Sequence, residues 1–148
     1  MQPTFWKLSQ GSDIFDNSKI TKSIKDRLVF VYKYTGAKGT SSTTQGDDFI
    51  NAKIGDYFYL TNGNKGIFVL GQFISPANYF SEYKKGWIDR QFRLIKHSKK
   101  KEPYKGKQKW WTPNDNSTFI KVPRNEHILF EELILKPYFD MSLEDYEL

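Results

Sequence analysis

Apolar positions along the chain recur with two periods, and the clearest lies near the middle. Residues 56–61 alternate, with Tyr57 and Tyr59 on one face and Phe58 and Leu60 on the other, the two-residue period of a pleated strand. Asn62, Gly63, Asn64, Lys65 and Gly66 follow; Asn and Gly tolerate the positive φ of a reversal, so this is a hairpin turn. Residues 67–74 read as a second strand that is apolar on both faces and therefore belongs in the middle of a sheet. Gly71 interrupts it, as a bulge, a bend or a close backbone approach would. A hairpin interrupted in this way predicts a curved sheet.

The remaining pattern completes an α+β domain. Residues 4–9 predict a first short strand. Ile20, Ile24 and Leu28 fall at i, i+4 and i+8 with lysines between them, so the spacing predicts an amphipathic helix over 18–28, capped by Asn17 or Ser18. Residues 28–34 are β-branched and aromatic and predict a strand. Residues 35–46 read as a loop of small residues and 47–52 as one helical turn. Residues 88–95 and 117–122 predict two further strands. After Pro123, Ile128, Leu129, Leu133 and Ile134 give a helix over 125–136, ended by Pro137. The expected architecture is a small, curved or barrel-like, mostly antiparallel sheet of five to six strands, flanked by two or more helices.

Charge sharpens this picture. The formal net charge is +6, yet residues 84–109 alone hold eleven Lys and Arg side chains against Asp89 and Glu102. A polyanion is the natural partner of such a surface. Tyr104, Trp110 and Trp111 are interleaved with these lysines. Solvation alone gives no reason for indoles there, which favours nucleic acid, and residues 98–109 are expected to be an exposed, mobile basic loop. The last nine residues carry Asp140, Glu144, Asp145 and Glu147 and find no evident core. The expected division is a nucleic-acid-binding domain over residues 1–139 and an acidic tail over 140–148, the start of a linker to a further domain. Cysteine is absent, so disulfides and thiolate metal sites are excluded, and an intracellular protein is expected. No run of 18 apolar residues or secretory signal pattern occurs, and no membrane association is expected.

Catalytic chemistry finds little support. His97 and His127 are the two histidines, and His127 reads as a packing or solvated residue. Lys38, Gly39 and Thr40 stand in the wrong order for a phosphate-binding P-loop. No nucleophile elbow or metal-ligand spacing appears. The domain is expected to be non-catalytic and to need no cofactor.

Between these elements lies a loop in which Tyr79, Phe80, Tyr83 and Trp87 stand among Lys84 and Lys85, the materials of a nucleobase site. The order of pieces then becomes informative: an aromatic-Lys-x-Ser strand ending, a helix, a strand, Gly-Asp-aromatic, a hairpin, Ser-Pro-x-x-Tyr, a Trp loop and an Arg-Phe strand. Carried by residues 5–13, 55–79 and 87–96, this succession resembles the EVE and YTH branches of the PUA-like superfamily over about three quarters of the chain. The resemblance implies a small barrel that holds one nucleobase, often modified, in an aromatic pocket. YTH domains bind methylated adenosine in RNA. EVE-like domains occur as N-terminal specificity modules of McrB-type, modification-dependent restriction systems, where they bind DNA with a base turned out of the duplex.

By position, the resemblance implies a base pocket formed by Ser9, Asp13, Tyr32, Tyr34, Phe80, Tyr83 and Trp87. Tyr32 and Tyr34 stand where YTH proteins carry a Trp, so methylcytosine and methyladenine both remain open, and Tyr32 and Phe80 are as readily read as core. Phosphate contacts fall to Lys84, Lys85, Arg90, Lys99, Lys100, Lys101, Lys105, Lys107 and Lys109. The leading expectation is a cytoplasmic DNA-binding domain that reads a modified base within a McrB-type system. The alternatives are a YTH-like reader of modified RNA and a protein-interaction module for an acidic partner.

Overall fold

A computed structural model of the chain describes residues 3–39, 42–100 and 102–146. Six strands, β1 (Phe5–Ser9), β2 (Leu28–Tyr32), β3 (Tyr57–Thr61), β4 (Ile67–Phe73), β5 (Trp87–His97) and β6 (Phe119–Lys121), form one curled sheet in the order β2-β5-β4-β3-β1-β6. All neighbouring pairs are antiparallel except β1 with β3. The fold class is therefore the small α+β domain with a curved sheet that the apolar pattern predicts.

The curl has local causes. β4 sits mid-sheet, and its register shifts between Leu70 and Gly71. A Cβ on Gly71 would meet the Phe58 ring at 2.7 Å and the Phe92 ring at 2.8 Å, so glycine lets two aromatic side chains close over the strand. Eleven-residue β5 serves both halves, pairing with β2 through Trp87 to Gln91 and with β4 from Phe92 onward. Trp6, Leu8, Val29, Val31, Phe58, Leu60 and Phe92 fill the inside of the curl. The other face of β1 and β3, Phe5 and Tyr59, packs with Trp111 and with a helical segment over 124–139.

The edge strands β2 and β6 do not pair, and helix α2 (Gln45–Asn51) covers the seam between them. Gln45 stands in for a strand there. Its Oε1 accepts from Thr118 N at 2.6 Å and Phe119 N at 2.9 Å, while its Nε2 donates to Gly36 O at 2.9 Å. Helix α1 (Asn17–Asp26) takes its N-cap from Asp16, whose Oδ1 accepts from Lys19 N, one residue before the expected caps. It ends at Arg27 in the left-handed region.

Three expectations are corrected. Pro137 does not end the last helix: the chain runs from α3 (His127–Phe130) through a π-helical stretch (Glu131–Leu135) into α4 (Lys136–Phe139). The wider turn lets Lys136 N reach Glu131 O and accommodates a residue without an N–H. Residues 98–100 and 102–109 are not a free loop. Tyr104 is buried, its N–H and C=O both bind the Asn64 side chain, and its hydroxyl donates to Lys107 O. Nor does the tail lack a core to join: Met141 and Leu143 pack on the helical side, and Leu143 N donates to Glu131 Oε2 at 2.6 Å. Among the described residues, no helix is long and apolar enough to cross a membrane.

Candidate functional site

A cavity of about 440 Å³ lies between β2 and the β1/β6 edge of the sheet, within the range of small-ligand sites. Ser9, at the end of β1, and Thr118, just before β6, line one side, while Phe30 and Tyr32 of β2, Thr35 and Trp87 line the other. Phe15 and the 10–14 turn close it. Alternation explains the aromatic wall: Val29 and Val31 enter the barrel interior, so Phe30 and Tyr32 face outward. Cross-strand pairing sets Trp87 opposite Tyr32, with ring centroids 5.6 Å apart.

Two buried amides hold the wall in place. Gln10 Oε1 accepts from Phe30 N at 2.9 Å, and its Nε2 donates to Ser23 Oγ, tying β2 to α1. Asn62, in the hairpin turn, donates from Nδ2 to Gln10 O at 2.7 Å and Phe15 O at 2.9 Å. The turn residue thus also positions Phe15. Behind the wall, Tyr83 stacks on Phe15 at 5.5 Å and meets Trp87 edge-on at 5.2 Å.

Of the seven expected pocket residues, Ser9, Asp13, Tyr32 and Trp87 line the cavity. Ser9 Oγ accepts from Gly63 N at 3.1 Å, which leaves its O–H to donate. Tyr83 buttresses the wall from behind. Tyr34 lies outside, edge-on to Tyr32 at 5.5 Å. Phe80 does not reach the cavity and is 87% exposed. Neither Tyr32, at 41%, nor Phe80 is core. The sequence reading missed Phe15, Phe30 and Thr118. Phe30 was legible in principle, because two-residue alternation puts it on the same face as Tyr32.

The basic residues divide by location. Lys84 and Lys85 are exposed on the loop that carries Tyr83, with Lys84 Nζ 5.4 Å from that ring's centroid. Arg90 is a correction. It is 1% exposed, with its guanidinium bonded to the carbonyls of Phe49, Ala52 and Ser75, because inward-facing positions of β5 alternate with outward ones. It is not available to a phosphate. Lys99 pairs with Asp140 at 3.9 Å, Lys100 lies over the Tyr138 ring at 5.1 Å, and Lys109 pairs with Glu126. Lys105 and Lys107 are exposed, and Lys101 lies outside the described residues. None of the described lysines between 99 and 109 lines the cavity. Tyr104 and Trp111, which made that segment look like a stacking surface, are core anchors.

No protein-family model matches the chain, and no curated protein matches it. Among solved structures the fold is similar to the crystal structure of protein Atu2648 from Agrobacterium tumefaciens, with a TM-score of 0.55 and 11% identity, covering 88% of this chain and 90% of that one. The solution structure of Rpa0253 from Rhodopseudomonas palustris overlaps at a TM-score of 0.39 and 14% identity, covering 68% of this chain and 66% of that one. At 11% identity the first likeness shows a shared fold and nothing about a ligand. The second overlap is too loose to extend it.

Proposed function

We propose that this is a nucleic-acid reader that holds one extruded base in the aromatic cavity, and that it serves as the DNA-binding specificity domain of a McrB-type restriction system in the cytoplasm. The observation that carries the reading is the wall of Phe15, Phe30, Tyr32 and Trp87, closed on one side by the Ser9 hydroxyl and Thr118. Flat rings offer a base stacking, and Ser9 and Asp13 offer its edge one donor and one acceptor. The resemblance to EVE-like and YTH-like barrels supports the same reading.

Energetics set the division of labour. Extruding a base costs a few kcal/mol, and stacking on one or two rings returns about 1–3 kcal/mol each. An enclosed methyl adds about 0.8 kcal/mol. The cavity therefore selects, and exposed lysines on the loop that buttresses its wall, Lys84 and Lys85, supply salt-dependent affinity through phosphates. The test is fluorescence anisotropy with matched duplexes that are unmodified, methylated at cytosine or methylated at adenine, and with single-stranded RNA. One methylated duplex should bind best, and Tyr32→Ala and Trp87→Ala should each erase that preference while leaving non-specific binding. Binding that ignores methylation in the wild type would remove the cavity from the argument. Preference for the RNA would transfer the reading to a modified-RNA reader.

A further inference from the structure

Trp110 has no place in the cavity above, yet its surroundings are built. Lys109 N donates to Thr112 Oγ1 at 2.9 Å, and Thr112 N donates to Lys109 O at 3.1 Å, closing a tight turn around it. The Trp110 carbonyl accepts from the buried Ser117 hydroxyl, and Trp111 next to it is fully buried. The backbone under the indole is therefore fixed. Gly39 covers one face of the ring: a Cβ there would stand 3.3 Å from Cγ and Cδ1 and 3.4 Å from Cδ2. Trp110 is nonetheless 49% exposed, so the opposite face is open to solvent.

Cavities of about 340 and 370 Å³ border this indole. Lys38, Lys121 and Asp48 line the larger one, and Lys38 Nζ lies 5.8 Å from the ring centroid. Among the described residues, Lys38 and Lys121 enter no ion pair. An indole already immobilised loses little freedom when a flat ligand stacks on it. Unpaired ammonium groups at its border favour a ligand that carries phosphates.

We propose that Trp110 is a second stacking position, taken by a neighbouring base of the strand whose extruded base enters the aromatic cavity. The inference rests on the nucleic-acid reading above. Two short pieces of chain connect the sites: Thr35 lines the cavity and Lys38 borders Trp110, while Thr118 lines the cavity and Ser117 holds the Trp110 carbonyl. A strand that leaves the cavity along either piece of chain reaches Trp110.

The experiment is anisotropy with a labelled single-stranded oligodeoxynucleotide carrying the one methylated base that wild type prefers, at low salt, using wild type, Trp110→Ala, Trp110→Phe and Tyr32→Ala, each checked for folding by circular dichroism. Trp110→Ala should weaken binding about 5- to 150-fold, the equivalent of about 1–3 kcal/mol of stacking, and Trp110→Phe should restore most of it. Moving one abasic residue along the strand should find a position that costs wild type the same factor and costs Trp110→Ala nothing further. Wild-type affinity in Trp110→Ala, with Tyr32→Ala impaired, overturns this inference and leaves the cavity reading standing. Loss in Trp110→Ala with Tyr32→Ala unaffected overturns the cavity reading, and with it the pairing of Trp110 with an extruded base, leaving only a single-strand stacking site at Trp110. No binding by wild type overturns both.

Discussion

Replacing Arg90 with methionine tests whether this cation holds the fold or meets a ligand. Its Nη1 donates to Phe49 O at 3.0 Å and Ala52 O at 2.6 Å, while Nε and Nη2 donate to Ser75 O at 3.1 and 2.9 Å. Its Cζ lies 4.3 Å from the centroid of Phe73. The side chain therefore ties the C-terminal end of α2, the helix over the seam, to the end of β4. Methionine keeps much of the volume and removes every donor. Three carbonyls then lose their partner at about 1–2 kcal/mol each, offset by about 1–2 kcal/mol because no charge is buried any longer. A net loss of about 2–4 kcal/mol should lower the melting temperature by about 5–15 °C for a chain of this size. Arg90→Lys should fall in between, since an ammonium keeps the charge without the planar fork. Thermal and urea denaturation read the effect. A melting temperature within about 2 °C of wild type, with loss only of nucleic-acid affinity, would refute the structural role.

Stability should also depend on pH through Lys7, a buried lysine whose Nζ donates to Asp115 O and Ser117 Oγ, both at 2.8 Å. Burial lowers its pKa to about 7, so between there and the usual lysine range the unfolded chain binds the extra proton and stability rises with pH. Lys7→Met should flatten that rise in urea midpoints measured across pH 7 to 10; an unchanged rise would assign it elsewhere. The slope should reverse at higher pH. Burial holds the Tyr59 hydroxyl well above its ordinary value and raises Tyr104 to about 12, so there the unfolded chain loses protons first, and a midpoint that keeps rising would contradict this burial. Gly71→Ala should cost about 1–3 kcal/mol by overpacking, since its Cβ would fall 2.7 Å from Phe58 and 2.8 Å from Phe92; wild-type stability would mean the two rings shift freely.

Some of this molecule was fixed by local pattern. Strict alternation in β3, the Asn-Gly turn and the doubly apolar β4 follow from the two-residue period, and they predict a central hairpin and a curved sheet. Gly71 marked a bulge, a bend or a close approach, and the fold shows a register shift there with two aromatic side chains where its Cβ would stand. Ser9, Asp13, Tyr32 and Trp87, placed in one pocket by resemblance and not by any local period, line a common cavity.

What tertiary structure decided is which side of the surface each long side chain takes. Lysine, arginine and tryptophan combine an apolar stem or ring with a polar tip, so composition cannot say whether they are anchors or contacts. Arg90 went inward to satisfy carbonyls from two distant segments, and Trp111 and Tyr104 became core under the helical segment. Trp110, one residue from Trp111, stayed half outside. Gln45 and Asn62 read as ordinary polar residues, yet one replaces a missing strand at the seam and the other places Phe15. Those roles depend on hydrogen-bond partners 47 to 74 residues away, and separations of that kind leave no trace in local pattern.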